Sequence, residues 1–331
     1  MAYSVSMSAA NTDSRLIVIV GPTASGKSAL GIAIAKKFGG EIVACDSTQL
    51  YRGFDIGTAK PTRAERAEIP HHLLDVLNPG EPSTAGDYRE RAELALADLK
   101  ARAKLPIVTA GTGLYLRALL EGLAELPQRS EELRERLRES AERHGPGHLH
   151  AVLQKLDSET AAKIAPADEQ KIIRAIEVCL LTNKPLTEIH RTARKPLPGW
   201  HALKIGLQPA RQALVDRIHA RTDAMLAGGW LEEVRELLSR NYAEDAKPFD
   251  FIGYRELRQV QRGKMTLAAA RAAIQQATRQ YAKRQQTWFR REQNVHWLAG
   301  FGDDAKIQNA ACAYLAGCGF TEARGGLPAG V

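Results

Sequence analysis

The 331-residue sequence carries 46 Lys and Arg against 38 Asp and Glu, a net charge of +8, and 44% hydrophobic residues. That composition suits a globular chain of one large domain with an insertion, or two modest domains, and no apolar run has membrane-spanning length. Four scattered cysteines, Cys45, Cys179, Cys312 and Cys318, lack CxxC spacing, which argues against a zinc finger or a disulfide framework and for a reducing, cytoplasmic setting.

Residues 1–14, MAYSVSMSAANTDS, have neither a basic region nor an apolar core and read as a disordered leader. Residues 16–20, LIVIV, form an unbroken apolar run, as expected of a strand buried on both faces of a parallel sheet. The turn that follows places Gly21, Gly26, Lys27 and Ser28 on the GxxxxGK[ST] pattern, with Pro22, Thr23, Ala24 and Ser25 between. In that pattern backbone amides wrap a phosphate chain, the lysine reaches the distal phosphates and the hydroxyl ligates Mg²⁺. The spacing over 28–38 predicts a helix whose N-terminus faces the same anion. The loop by itself does not say which phosphate compound it holds.

Residues 41–45, EIVAC, read as a second strand ending on Asp46, Ser47, Thr48 and Gln49. In parallel sheets ligands collect at the carboxyl ends of strands, so Asp46 shares an edge with the phosphate loop, although an isolated Asp also serves as a helix cap. The Gly- and Pro-rich residues 52–82 read as long irregular connections, 85–103 as a helix, and 106–109 as a third strand running into a second glycine turn that carries Thr112, either a cap or a group facing the loop. Residues 124–199 change to charge-laced helical pattern, with helices expected over 131–144 and 169–181, and end in the KPLPG linker at 195–199.

A strand returns at 203–207, followed by a helix from Pro209 to about residue 227 whose Arg217 and Arg221 share a face, and by a further helical pair before Phe251. Residues 257–291 hold nine Lys or Arg and no Asp or Glu, with Tyr281, Trp288 and Phe289 interleaved among glutamines. A long acid-free basic helix needs an external anion to offset its charge, and nucleic acid supplies one, with aromatics for stacking and glutamines for base edges. Trp288 and Phe289 read equally well as core residues. The tail, residues 319–331, reads as loose.

GPTASGKS at 21–28, DSTQLYRGFDIGTAKP at 46–61, AGTGLYLRALLEG at 110–122, DEQKIIRAIEV at 168–178, FIGYRE at 251–256 and KRQQTWFRR at 283–291 together resemble the tRNA dimethylallyltransferases, also called tRNA isopentenyltransferases, over almost the whole chain. The resemblance implies an α/β fold, a P-loop NTPase-like parallel sheet flanked by helices over 15–123 and 200–318, with an all-helical insertion domain contacting tRNA over 124–199. It implies transfer of a dimethylallyl group from dimethylallyl diphosphate to N6 of adenosine 37, beside the anticodon of tRNAs that read codons beginning with U. The expected catalytic groups are Asp46, as proton acceptor, Thr112 and Arg221, with residues Gly21 to Ser28 holding diphosphate and Mg²⁺ on Ser28. Contacts to the tRNA anticodon stem-loop are expected from Asp46, Ser47, Thr48, Gln49, Thr112, Arg134, Gln170, Lys171, Ile172, Ile173, Arg174, Phe251, Ile252, Gly253, Tyr254 and Arg255. The same is expected of Lys283, Arg284, Gln285, Gln286, Thr287, Trp288, Phe289 and Arg290, in a monomer that needs no membrane. The alternatives are a small-molecule or nucleotide kinase using the same loop, and an RNA-binding NTPase without covalent chemistry.

Overall fold

A computed structural model describes residues 14–124, 126–192, 195–240, 242–243 and 245–323. Its chain divides into two compact units, residues 1–119 with 199–331, and residues 120–198.

The first unit begins with β1 (Ser14–Val20), α1 (Lys27–Phe38), β2 (Gly40–Cys45), the short α2 (Arg63–Glu68) and a two-residue β3 (His71–His72). It continues with α3 (Ala85–Ala101), β4 (Leu105–Ala110) and α4 (Gly113–Glu121). The insertion contributes α5 (Glu131–His144), α6 (His148–Leu156), α7 (Ser158–Lys163), α8 (Glu169–Thr182) and α9 (Leu186–Thr192). The chain then returns through β5 (Trp200–Leu207), α10 (Arg211–Ala227), α11 (Trp230–Ser239), a 3₁₀ turn at Lys247–Asp250, α12 (Tyr254–Gln261), α13 (Leu267–Phe289), β6 (Val295–Leu298) and α14 (Ala305–Gly317).

The strands form one six-stranded sheet in the order β3-β2-β4-β1-β5-β6, and every neighbouring pair is parallel. Successive side chains on a strand point to opposite faces. Ile17 and Ile19 of β1 accordingly join Ile42, Ile107, Ile205 and Leu207 in a core with α1 and α14, while Leu16, Val18 and Val20, equally buried, point the other way. Both faces of β1 are therefore covered, which is why its sequence runs apolar without alternation. α3 packs on β2 and β4, is started by a Thr84–Asp87 capping box, and buries Tyr88, Ala92, Leu96 and Leu99.

Several expectations need correction. The stretch before Phe251 holds α11 and a single 3₁₀ turn rather than a helical pair. The basic region is two helices, because Gly263 takes a left-handed conformation (φ 67°) and Thr266 caps a new helix by accepting from the Ala269 N–H. Ser14, counted with the leader, already belongs to β1, while residues 1–13 lie outside the described residues. Residues 319–323 are held down: Phe320 is buried edge-on to Phe38, Arg15 stacks over its ring at 4.2 Å, and Arg15 also donates to the carbonyls of Cys318 and Gly319. The remaining tail, 324–331, lies outside the described residues.

The insertion is helical throughout its described residues, around a core of Leu137, Leu149, Leu153, Ile172, Ile173 and Ile176. Two buried carboxylates organise it. Asp157 accepts from the backbone and hydroxyl of both Thr160 and Thr187; burial alone would raise its pKa, yet these bonds hold it at about 2. Glu177, with no exposed surface, accepts from the Ser130 N–H at the start of α5 and pairs with Arg174 at 2.6 Å and Arg134 at 3.3 Å. Among the described residues no helix is long and apolar enough to cross a membrane.

Candidate active site

The loop between β1 and α1 turns on three residues with positive φ, Gly21 at 150°, Ala24 at 63° and Gly26 at 86°. Gly26 is the N-cap of α1 and offers no side chain to its amides, so the helix N-terminus is left to an external anion. Lys27 folds back, and its ammonium donates to the carbonyls of Gly21 at 3.0 Å and Pro22 at 2.9 Å. Burial draws its pKa down to about 8, partly opposed by Asp46 and assisted by Arg221. Ser28 is exposed on the first turn. Ser25 is fully buried, and its carbonyl accepts from the N–H of Gly302 at 2.9 Å, so the segment after β6 braces the loop from outside.

Arg221 reaches the same loop from α10, where its guanidinium donates to the Thr23 hydroxyl at 2.7 Å. Its burial pulls the pKa to about 10, opposed by Asp46. Arg217, one turn away on α10, is bound instead to Asp303 at 2.5 Å and lies over the Phe301 ring at 3.7 Å. Of the two arginines singled out on that face, only Arg221 meets the loop.

Asp46 stands at the end of β2, as the strand order predicts. Thr48 donates its N–H and its hydroxyl to Asp46 Oδ1, at 2.9 and 2.8 Å, which fixes the carboxylate plane. Its other oxygen lies against Gly111, where an added Cβ would come within 2.2 Å of Oδ2. The Thr112 hydroxyl accepts from the Ser47 N–H at 2.9 Å and donates to Ser47 Oγ at 3.2 Å, tying the ends of β2 and β4 together. Gly21 to Ser28, Asp46, Ser47, Thr112 and Arg221 thus converge on one edge of the sheet, the carboxyl ends of β1, β2 and β4.

The other expected residues fall into distinct places. The Gln49 side chain is engaged internally, donating to the carbonyls of Thr58 at 3.0 Å and Ala59 at 3.2 Å. Phe251 joins an aromatic cluster with Tyr51 and Phe54, and Ile252 follows half-buried. Gly253 (φ 92°) lies so close to the Trp230 indole that any Cβ would collide with it. Tyr254, fully buried, donates to Glu233 at 2.6 Å, and Arg255 is exposed beside Glu256. On α13, Lys283, Arg284 and Thr287 are exposed, as is Arg290 just beyond it, Gln286 and Trp288 are half-buried, and Gln285 and Phe289 are buried. Trp288 lies against Gly113, with Arg117 over its ring at 4.5 Å. Arg134, Gln170, Lys171, Ile172, Ile173 and Arg174 belong to the insertion; Gln170 and Lys171 are exposed, Lys171 paired with Asp168, while Ile172 and Ile173 are core.

Periodicity gives no hint of two features of the site. Lys60, nearly fully buried, ties down the loop after Asp46 by donating to the Tyr51 carbonyl at 2.6 Å and to the carboxylates of Asp55 and Asp75 at 2.7 and 2.5 Å. Gln285 crosses the site, accepting from the Thr23 N–H at 2.6 Å and donating to the Gly111 carbonyl at 2.7 Å. A buried lysine in an irregular loop and an inward glutamine on a basic helix both carry the sequence signature of surface residues.

Known proteins resemble the chain in sequence and in fold. A family model described as IPP transferase matches residues 49–292, and one described as isopentenyl transferase matches residues 14–75. The tRNA dimethylallyltransferase of Koribacter versatilis is 55% identical over 300 residues, spanning 91% of this chain and 97% of that protein. Among solved structures, a tRNA isopentenylpyrophosphate transferase from Staphylococcus epidermidis is 38% identical with a TM-score of 0.66, covering 92% of this chain and 99% of the other. A eukaryotic dimethylallyltransferase acting on tRNA is 26% identical with a TM-score of 0.75, covering 92% of this chain and 77% of that one. With a family model spanning well over half of its residues and a relative of this identity along nearly its whole length, the chain belongs to the IPP transferase family.

Proposed function

We infer that the protein transfers a dimethylallyl group from dimethylallyl diphosphate to N6 of adenosine 37 in tRNAs reading codons beginning with U, releasing diphosphate. One observation carries the chemistry: a carboxylate, Asp46, lies at the same sheet edge as two half-buried cations, Lys27 and Arg221, close enough that its charge partly offsets the lowering of each pKa by desolvation. The cations and the amides at the start of α1 suit a diphosphate leaving group, and the carboxylate suits an amine that must lose a proton.

The C–O bond between the allylic carbon and the diphosphate breaks while a bond from N6 to that carbon forms. Adenine N6 is a weak nucleophile because its lone pair is delocalised into the ring, so its proton passes to Asp46 as the new bond forms. Arg221 and Lys27 neutralise charge on the departing diphosphate, and Thr112 holds the strand ends at which the amine arrives. The target base leaves its stack to reach the loop at the sheet edge.

Among the described residues no three His, Cys, Asp or Glu side chains form a metal cage. The donors beside the loop, the Ser28 hydroxyl and the Asp46 carboxylate, are hard oxygens, a set that fits Mg²⁺, which takes few protein ligands and completes its shell with phosphates and water. When bound on Ser28, Mg²⁺ would supply further charge neutralisation to the diphosphate.

The exposed bases Lys283, Arg284 and Arg290, with Arg134, Arg174 and Lys171 of the insertion, are the groups we assign to the tRNA anticodon stem-loop. Four free cysteines suit a reducing cytoplasm, and one chain supplies every group named at the sheet edge, as a monomer requires. Purified protein with Mg²⁺ and radiolabelled dimethylallyl diphosphate is expected to label tRNA from cells lacking the modification, with no nucleoside triphosphate present. Failure to label that tRNA overturns the reading. A kinase would instead need a nucleoside triphosphate for any transfer.

A further inference from the structure

Gln285 lies on α13 between the exposed Lys283 and Arg284 on one side and Thr287 on the other, yet its side chain is 5% exposed and turns inward. The carboxamide is used at both ends. Its oxygen accepts from the Thr23 N–H in the diphosphate loop, and its nitrogen donates to the Gly111 carbonyl in the turn after β4. Tyr281, one turn earlier, donates a second bond to the same carbonyl at 3.2 Å.

Each anchored residue reaches further into the site. The hydroxyl of Thr23 takes the Arg221 guanidinium, Gly111 forms the floor against Asp46 Oδ2, and the adjacent Thr112 holds Ser47. One amide therefore spans the two halves of the chemistry, the loop for the leaving group and the turn against which the proton acceptor rests. A primary amide suits this place, since it is both donor and acceptor, carries no charge beside Asp46 or Arg221, and leaves neither buried backbone group unpaired.

We propose that Gln285 is a positioning residue for the transfer reaction, setting the separation between the diphosphate loop and Asp46 from the helix that presents Lys283 and Arg284. It rests on the dimethylallyl transfer reading above. A misplacement of about 1 Å between reacting groups costs on the order of 10²-fold in rate, so loss of the bridge acts on turnover and leaves tRNA affinity in place.

Gln285→Met keeps the length and volume of the side chain and removes both bonds. In steady-state assays with dimethylallyl diphosphate and tRNA, kcat is expected to fall about 10- to 100-fold while the KM for tRNA stays within about 3-fold of wild type. A raised KM for tRNA at unchanged kcat would make Gln285 an RNA contact and overturn the proposal, as would unchanged values of both. Gln285→Glu is the second variant, keeping the acceptor for Thr23 and losing the donor to Gly111; it is read by the same split if the methionine variant does not fold. If neither folds, the residue acts on stability and the assignment is wrong. Wild-type protein that labels no tRNA would instead remove the transferase reading itself, a separate outcome of the same assay.

Discussion

At the scale of single residues, the site depends on close approaches that leave no room for a side chain. A Cβ on Gly111 would meet Asp46 Oδ2 at 2.2 Å, and the contact is to a carboxylate already pinned by Thr48, so the carboxylate must shift. Gly111→Ala is expected to lower kcat about 10- to 100-fold, approaching the loss of about 10²-fold or more expected for Asp46→Ala, with tRNA binding retained in both. Single-turnover labelling beside a filter-binding titration checks this, and wild-type turnover in Gly111→Ala would mean that the carboxylate is free to move. Lys27 gives a pH dependence of definite sign. Its pKa lies at about 8 because burial disfavours the ammonium, so the cation present at pH 7 is lost as pH rises through 8. The kcat/KM for dimethylallyl diphosphate, which reports the free enzyme, is expected to fall on that alkaline limb. A profile flat to pH 9 would place the lysine at its ordinary value.

Among the elements, α13 has two unlike sides. Ala270, Ile274, Ala282, Gln285 and Phe289 are buried, and Arg271 and Gln275 bind Asp223 of α10, whereas Lys283 and Arg284 stay exposed. Replacing Lys283 and Arg284 together by alanine is expected to weaken tRNA binding and flatten its dependence on salt, since each lost phosphate contact removes about 0.7–0.9 from the log–log slope. Binding titrations at several salt concentrations measure it, and an unaltered slope would show that these two bases do not meet phosphate. How legible each element is in the sequence follows from the same physics. β1 carries an unbroken apolar run over residues 16–20, β2 (GEIVAC) and β4 (LPIVTA) carry shorter apolar stretches that end at Asp46 and Gly111, and α1 is announced by the phosphate-loop pattern, so motif and period agree. β3, two residues long, and β6, reading VHWL, are too short to carry a period, and their place at the sheet edges comes from tertiary pairing alone. Asp46 was findable because strand ends collect ligands. Gln285 is legible in the sequence only as a tRNA contact within the KRQQTWFRR stretch, since a glutamine among Lys and Arg has the composition of a solvated face; its inward bridge from the Thr23 N–H to the Gly111 carbonyl is a tertiary contact that no local pattern marks.

For the whole molecule, the division into two units predicts separable unfolding. All four tryptophans, Trp200, Trp230, Trp288 and Trp297, fall in the sheet unit and none in the insertion. Glu177→Ala removes the carboxylate that pairs Arg134 and Arg174 and anchors the start of α5, a loss of about 3 kcal/mol for breaking a buried ion pair. Urea unfolding followed by circular dichroism should therefore show a transition moved to lower denaturant, while tryptophan fluorescence should report an unmoved one. Coincident shifts by both probes would mean that the units unfold together. The sheet order has a consequence for synthesis. β1 is made first and lies between β4 and β5, so one of its two edges finds its partner only when residues 200–207 have left the ribosome. Making residues 120–198 takes roughly 4–16 s at about 5–20 residues per second. For that interval the nascent chain carries β1 with an unpaired edge, an apolar strand open to other chains, and the insertion behind it, whose core runs from Leu137 to Ile176, is made in full before β5. The stretch that holds the diphosphate loop is among the first translated and among the last to be closed in.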